Sequence, residues 1–442
     1  MYQRFQKYIQ EEQLFSRTDK LLLGVSGGVD SVVLAQLIDQ MGNEFALAHC
    51  NFNLRGDESD HDQQLVAELA DKMGVKCFFT SFQTIDYARE KGVSIEMAAR
   101  ELRYNWFEET RVEMGYDCIV VGHHLDDVLE TFILNLSRGT GIRGLSGIKP
   151  KAGKVVRPLL FATRAEIETF AKAQELQFRN DSSNDDILIK RNKVRHQIMP
   201  LLDELNPAFR KNLQRTIGYL NQTETVFLHY IEKVRSDIVI HENDWMRMPI
   251  GKLLLLNPLP IILYELLRPY GFNSEMVAEI IQAFNTPPGQ QFFSASHRVV
   301  VDRDEMIITP VEQEMPHLFY IEKHDQELFE PEHLKVTVER YYPGYQIPKS
   351  NNIALLDYDK LHFPLVLRKW QQGEYFRPLG MDGFKKLSDF FIDEKFSIPE
   401  KERAWILASD NKVVWIVGKR IDDRYKITSQ THMVLKIERI DD

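Results

Sequence analysis

The strongest constraint on the fold is an alternation that fills the first two hundred residues. The apolar runs "LLLGV" (21–25), "FALAHC" (45–50), "KCFFTSF" (76–82) and "DCIVVGH" (117–123) alternate with longer stretches of helical periodicity. Each run has strand length, and each intervening stretch is long enough for a crossover helix. The pattern predicts βαβ units and a doubly wound parallel sheet, an α/β fold whose ligands bind beyond the carboxyl ends of the strands. Three polar clusters fall at those ends: "SGGVDS" (26–31), "HCNFNLRGDES" (49–59) and "GHHLDD" (122–127).

"SGGVDS" reads as a phosphate loop. Glycine lets backbone amides close on phosphate oxygens, and the helix start that follows supplies donors and a favourable dipole. Gly27 and Gly28 are assigned to amide approach, and Ser26 and Ser31 to hydroxyl contacts. Asp30 occupies the place of the lysine in the familiar nucleotide loop. An acid beside phosphates is repelled unless a cation intervenes, so Asp30 points to magnesium.

The second cluster of chemistry is "GHHLDDVLE", which sets His123, His124, Asp126, Asp127 and Glu130 within eight residues of one another. Acids at a helix start complement its dipole, but that effect does not require histidines and acids at this density. "SIEMAARELRYNWF" (94–107) predicts a helix with Glu96, Arg100, Arg103, Tyr104 and Phe107 on one side; an intrahelical ion pair with core aromatics is the plain reading. "GTGIRG" (139–144) matches a dinucleotide fingerprint in letters only, because it follows a predicted helix rather than a strand.

A chain of 442 residues with 43% hydrophobic content predicts a multidomain globular protein. Its three cysteines, Cys50, Cys77 and Cys118, form no CxxC pair, which argues against a disulfide framework or zinc knuckle and fits a reducing cytoplasm. The longest apolar run, "LLLLNPLPIIL" (253–263), is short and broken by prolines, so no membrane span is predicted. The net charge is -10, yet residues 138–157 carry Arg138, Arg143, Lys149, Lys151, Lys154 and Arg157 without an acid, and "KRNKVR" (190–195) adds Arg191 and Arg195 among its cations. These basic runs are either solvated loops or local nucleic-acid contacts.

The expected organisation is a catalytic α/β domain over 1–203 and a mainly helical domain over 204–312 with a hairpin near 298–309. An acidic linker over 313–334 and a mixed α/β C-terminal domain over 335–442 complete it. Leu387, Phe390 and Phe391 of "KKLSDFFID" are expected core residues, and Arg377, Lys385 and Lys386 are candidate phosphate contacts.

"SGGVDS" resembles the loop of the N-type (PP-loop) ATP pyrophosphatases. "IEMAARELRY", "GHHLDDVLETFILNLSRGTGIRGLSG", "DSSNDDILIKRNKVR" and "PLGMDGFKKLSDFFID", in that order, closely resemble the tRNA(Ile)-lysidine synthetase family over nearly the whole chain. The family often carries an acid and a histidine where this chain has Asn51 and Phe52, so Phe52 is left out of the site and Asn51 is held weakly. The resemblance implies that ATP adenylates O2 of the wobble cytidine of an isoleucine tRNA with a CAU anticodon. The ε-amine of free lysine then displaces AMP at carbon 2.

By the same resemblance His49, Arg100 and Arg103 line the ATP site, and the last two domains bind tRNA. Candidate tRNA contacts are Arg138, Arg143, Arg191, Arg195, Lys385 and Lys386. Asp127 is the first choice for the group that takes the lysine proton, with His123 as its partner and Asp126 as runner-up. Asp127 and Glu130 are the candidate anchors for lysine. A homodimer is compatible with this reading. The alternative is an ATP-dependent tRNA 2-thiolation enzyme, which shares the loop but requires a sulfur donor; an argininosuccinate-like ligase or a catalytically dead RNA-binding module stands further off.

Overall fold

The computed structural model describes residues 1–54, 56–179, 190–242, 244–311 and 318–440. The chain forms two compact units, Met1–Leu228 and His229–Asp442, and the division falls inside the 30-residue helix Phe209–Ile238.

The first unit begins with α1 (Tyr2–Glu11), β1 (Leu21–Gly24), α2 (Val29–Met41), β2 (Phe45–Asn51), α3 (Asp57–Met73) and β3 (Cys77–Ser81). It continues with α4 (Thr84–Lys91), α5 (Ile95–Met114), β4 (Cys118–Val121), α6 (Leu125–Arg138), α7 (Ile142–Leu145), β5 (Lys151–Ala152), β6 (Val155–Val156) and α8 (Arg164–Ala173). The sheet order is β3-β2-β1-β4-β6-β5, parallel except for the β5–β6 pair. β1 is central because both its faces are covered: Leu21, Leu22 and Leu23 are fully buried. Burying one leucine stabilises by about 1.5–3 kcal/mol, so this strand anchors the loop that leaves its end.

All four predicted strands form, and the three clusters emerge at their carboxyl ends. β5 and β6 lie within the basic stretch and were not expected. α6 buries Leu125, Val128, Leu129 and Phe132, packing them with Met199, Leu213 and Ile217 of the helices that follow. α5 starts on Ser94, whose side chain accepts from the Met97 amide, and ends on Gly115 at φ 73°.

In the second unit the expected hairpin forms from His297–Val301 and Glu305–Pro310. It is the centre of a five-stranded antiparallel sheet completed by Ile240–Glu242, Trp245–Pro249 and Gln290–Phe293, strands too short for periodicity to reveal. Helices Leu259–Leu267 and Ser274–Ala283 belong to the same region. The C-terminal part has one sheet ordered Leu318–Ile321, Leu365–Lys369, Trp405–Ser409, Lys412–Ile416 and Arg420–Ile421. A second runs Glu327–Leu328, Leu334–Arg340, Met433–Arg439 and Ile353–Asp357.

The expected linker is therefore corrected in its described part: Leu318–Ile321 and Glu327–Leu328 are edge strands of these sheets, with Ile321 buried. Glu322, Asp325, Glu327 and Glu330 there are exposed, while Glu332 is half-buried against Arg439, so composition reported exposure and concealed pairing. Glu312 and Glu314 lie outside the described residues, as do residues 181–189 of "DSSNDDILIKRNKVR" and Arg55. Leu387, Phe390 and Phe391 are buried as expected, and no helix among the described residues is long and apolar enough to cross a membrane.

Candidate active site

β1 delivers "SGGVDS" into the start of α2, and the loop closes on itself. The Ser31 hydroxyl donates to the Gly28 carbonyl at 2.9 Å and accepts from the Ser26 amide at 3.2 Å. Gly27 sits at φ +87°, where a side chain is strained. Gly122, at the end of β4, permits a close approach: an added Cβ would lie 3.2 Å from the Asp30 carbonyl. The loop and the "GHHLDD" turn are thus pressed backbone to backbone.

A cavity of about 200 Å³ opens beside the loop, lined among others by Ser26, Asp30, Ser31, Arg103, Tyr104 and His123. Phe52, left out of the site by the sequence, also lines it and carries the Arg103 guanidinium 5.2 Å from its ring centroid. An aromatic ring can replace a polar group at a ligand wall by supporting the cation. His49 is placed behind the loop rather than in the cavity lining: it is buried, and its Nδ1 lies 2.8 Å from the Val25 carbonyl. Arg100 is exposed, 4.9 Å from the Tyr104 ring centroid, and also stands outside the lining. Asn51 serves its own strand end, donating to Asp60 and accepting from the Asn53 amide.

The acid cluster is organised around His124, to which the sequence reading gave no role. His124 caps α6, and its amide donates to Asp127 Oδ2 at 2.9 Å. Its imidazole faces three carboxylates, with Asp30 at 3.8 Å and Asp126 and Asp127 at 3.6 Å each. Burial alone would push its pKa down, but these acids hold it above the usual histidine value. His123, expected to partner Asp127, lines the cavity with its Nδ1 buried and without a hydrogen-bond partner, and it interacts with Asp127 through charge. Burial, with Arg157 and Arg191 adding to it against the pull of Asp127, lowers its pKa to about 3.

Arginines complete the cluster. Arg164 pairs with Asp30 Oδ2, while Asp30 Oδ1 is buried without a hydrogen-bond partner. Asp126 accepts from the Arg164 amide at 2.8 Å and from Arg210 at 2.5 Å. Against burial, His124 and these donors hold its pKa at about 2. Arg191 reaches Asp127 at 3.0 Å and Glu130 at 2.9 Å, and Arg195 reaches Glu130 at 2.7 Å. Asp127 is likewise held below the usual carboxylate range, burial being outweighed by His124 and Arg191, whereas burial keeps Asp30 above it.

Arg191 and Arg195, read as tRNA contacts, therefore face inward onto acids in this structure. Their spacing of four on one helical run matches two adjacent carboxylates as well as it matches phosphates. Lys385 pairs with Asp393, and Lys386 lies 5.9 Å from the Tyr375 ring centroid. Arg138 and Arg143 stand at the end of α6 and in α7, next to the glycine-rich loop.

His123 should act as a pH-dependent liability. Its folded pKa lies below the unfolded value of about 6.5, so the stability from keeping it neutral is complete above 6.5. That stability falls by about 1.4 kcal/mol per pH unit on acidification toward 3. A His123→Gln variant should show a flatter loss of stability than the parent between pH 6.5 and 4 in denaturant titrations. Equal slopes would mean that His123 does not bear this cost.

Residues 1–202 match the PP-loop domain family, 241–311 the TilS substrate binding domain and 365–438 the TilS substrate C-terminal domain. The tRNA(Ile)-lysidine synthase of Parabacteroides distasonis is 42% identical over 97% of this chain and 97% of that protein. The chain belongs to the tRNA(Ile)-lysidine synthase family. The Bacteroides thetaiotaomicron relative is 40% identical over 98% of both chains, and that of Dehalococcoides mccartyi 30% identical over 99% of this chain and 98% of its own. Family membership gives the cavity beside the loop its context: it lies in the PP-loop domain, and the two substrate families fall in the second unit.

Proposed function

We infer that this enzyme uses ATP to adenylate O2 of the wobble cytidine of a CAU-anticodon isoleucine tRNA and then joins free lysine to carbon 2, giving lysidine, AMP and pyrophosphate. The observation that carries the reading is the contact of Asp30, on the phosphate loop, with the His124–Asp126–Asp127 cluster. Adenylation and amine attack then occur at one place. Such a reaction fits a cytoplasmic enzyme, where ATP, lysine and tRNA meet.

The amides at the start of α2, with Ser26 and Ser31, hold the departing pyrophosphate. The buried Oδ1 of Asp30, which has no hydrogen-bond partner, fits a magnesium ion, which usually takes one or two protein carboxylates and leaves its other positions to phosphate and water. Bound there, magnesium would offset phosphate charge. Arg103, supported by Phe52, faces the cavity as a second positive charge.

A lysine amine of pKa about 10.4 is neutral only about once in 2,500 at pH 7, a deficit of about 4.6 kcal/mol. Asp127 and Glu130 are the proposed anchors for its ammonium. Each is already matched with a guanidinium, so binding exchanges one cation for another and leaves no buried charge uncompensated. Displacing Arg191 would also remove one cause of the depressed Asp127 pKa, improving it as the group that takes the proton as the carbon–nitrogen bond forms. Asp126, held at about 2 with two donors, is the weaker base and the better orienting group for His124. Arg138 and Arg143, at the far end of α6 and in α7, are the proposed anticodon-loop contacts.

The 2-thiolation reading is disfavoured by the thiols. Cys50 and Cys77 are pushed up to about 12, chiefly by burial, and neither is a ready nucleophile at neutral pH. Incubation with labelled lysine, magnesium, ATP and CAU-anticodon isoleucine tRNA tests the proposal. Label must enter RNA only with all components present, accompanied by AMP; AMP release that requires a sulfur donor instead would overturn it.

Tyr104 gives a finer check. Its hydroxyl is buried at the cavity wall without a hydrogen-bond partner, which costs about 1–3 kcal/mol. Tyr104→Phe should therefore stabilise the ligand-free chain by about 1 kcal/mol and raise the KM for ATP several-fold. A variant that is no more stable than the parent, with unchanged KM, would leave the hydroxyl without a ligand role.

A further inference from the structure

The second unit contains a cavity of about 300 Å³ at the seam of its two C-terminal sheets. Ile353 and Leu355 enter from one sheet, Trp415 and Ile421 from the other, and the loop through Ile347 and Lys349 forms a wall. An isolated antiparallel bridge between Leu356 and Lys426 ties the strand Ile353–Asp357 to the segment that follows Arg420–Ile421, so this wall is set by paired backbone.

Its lining combines two chemistries. The floor is apolar, with Leu355 and Trp415 both buried. Lys349, Lys419, Arg420 and Lys426 also line it, and no aspartate or glutamate does. In a chain of net charge -10 this is a strong local reversal of sign. Two of the cations are fixed: Lys426 is held by Asp423 at 3.0 Å, and Arg420 donates to the Leu379 carbonyl at 3.1 Å. The Lys419 ammonium lies 4.7 Å from the Phe396 ring centroid.

An apolar slot ringed by cations is complementary to a flat, weakly polar ring that carries phosphate. We propose that this cavity receives one unpaired nucleotide of the RNA substrate, its base in the slot and its flanking phosphates on the cations. The inference rests on the tRNA reading above and deepens it. RNA is favoured over a free mononucleotide because the cations come from three separated segments, near 349, 419 and 426. Phosphates on either side of an extruded base span such a ring, and splayed bases seated on apolar side chains are the usual mode of single-stranded RNA recognition.

The test uses the full chain, a CAU-anticodon isoleucine tRNA transcript and AMP as the free-nucleotide probe. Lys349→Glu/Arg420→Glu removes rim charge, and Ile347→Trp, at a position 67% exposed, narrows the mouth without disturbing the core. Thermal melts establish that both variants fold. The expected results are a loss of tRNA affinity of about tenfold or more in each, and a salt dependence reduced by about two phosphate contacts in the charge variant only. A parent that binds the transcript while both variants bind it equally well overturns this inference alone. AMP binding that Ile347→Trp abolishes, with tRNA binding intact, overturns it in favour of a small-nucleotide site. A parent that does not bind the transcript overturns the functional reading and this inference with it.

Discussion

Asp30→Asn should reduce AMP release by at least about a thousandfold while leaving the chain folded, the scale expected when a metal-borne charge clamp on a transferring phosphoryl group is lost. The side chain keeps its size and its place in the first turn of α2. Stability should hold or rise, and the sign follows from the pKa. Burial raises the Asp30 carboxyl above its unfolded value, so ionised Asp30 costs stability at neutral pH, and a neutral amide removes that cost. Arg164 is not orphaned, because it also pairs with Glu168 at 2.9 Å. The measurements are AMP formation across a magnesium series and a denaturant titration. AMP formation at the parental rate would sink the proposed role. Loss of activity together with collapse of the fold would make Asp30 a structural residue.

β1, β2 and β4 were legible because each is a continuous apolar run buried on both faces, whereas the edge strand β3 is half-exposed and was legible from its apolar run alone. The loop and the acid cluster were legible because their residues are adjacent in sequence. Arg164 and Arg210 were not: they reach Asp30 and Asp126 across 134 and 84 residues, and no local spacing encodes such a meeting. The direction that His123 takes has a geometric cause. Helical spacing would put it one turn before Asp127, but His124 is extended at φ -124° and ψ 179°, and the helix begins only at Leu125. His123 therefore follows the strand's direction into the cavity, and His124 inherits the carboxylates. Phe52 was missed for a different reason, since a cation over a ring is a three-dimensional relation between β2's exit and α5.

Glu130→Gln should have the largest structural effect of any single change at the site. The Glu130 side chain is 2% exposed and accepts from Arg191 and from both the Nε and Nη2 of Arg195. Breaking a buried pair by removing one partner costs about 3–5 kcal/mol, because the remaining charge is left without compensation. Both guanidiniums are about a third exposed and keep Asp127 as a second partner, so the lower part of that range applies. The same variant should lose lysine transfer while still releasing AMP, if the carboxylate also anchors the ammonium. The two effects separate in the triple variant Glu130→Gln/Arg191→Met/Arg195→Met. With neither guanidinium left facing a missing acid, stability should recover part of the way toward the parent, Asp127 keeping His124 as its remaining partner. Lysine transfer should stay absent, because the anchor is still missing. Recovery of transfer along with stability would mean that Glu130 only holds the arginines in place. Parental stability in the single variant would mean that the ion cluster does not hold α6 to the residues after 190.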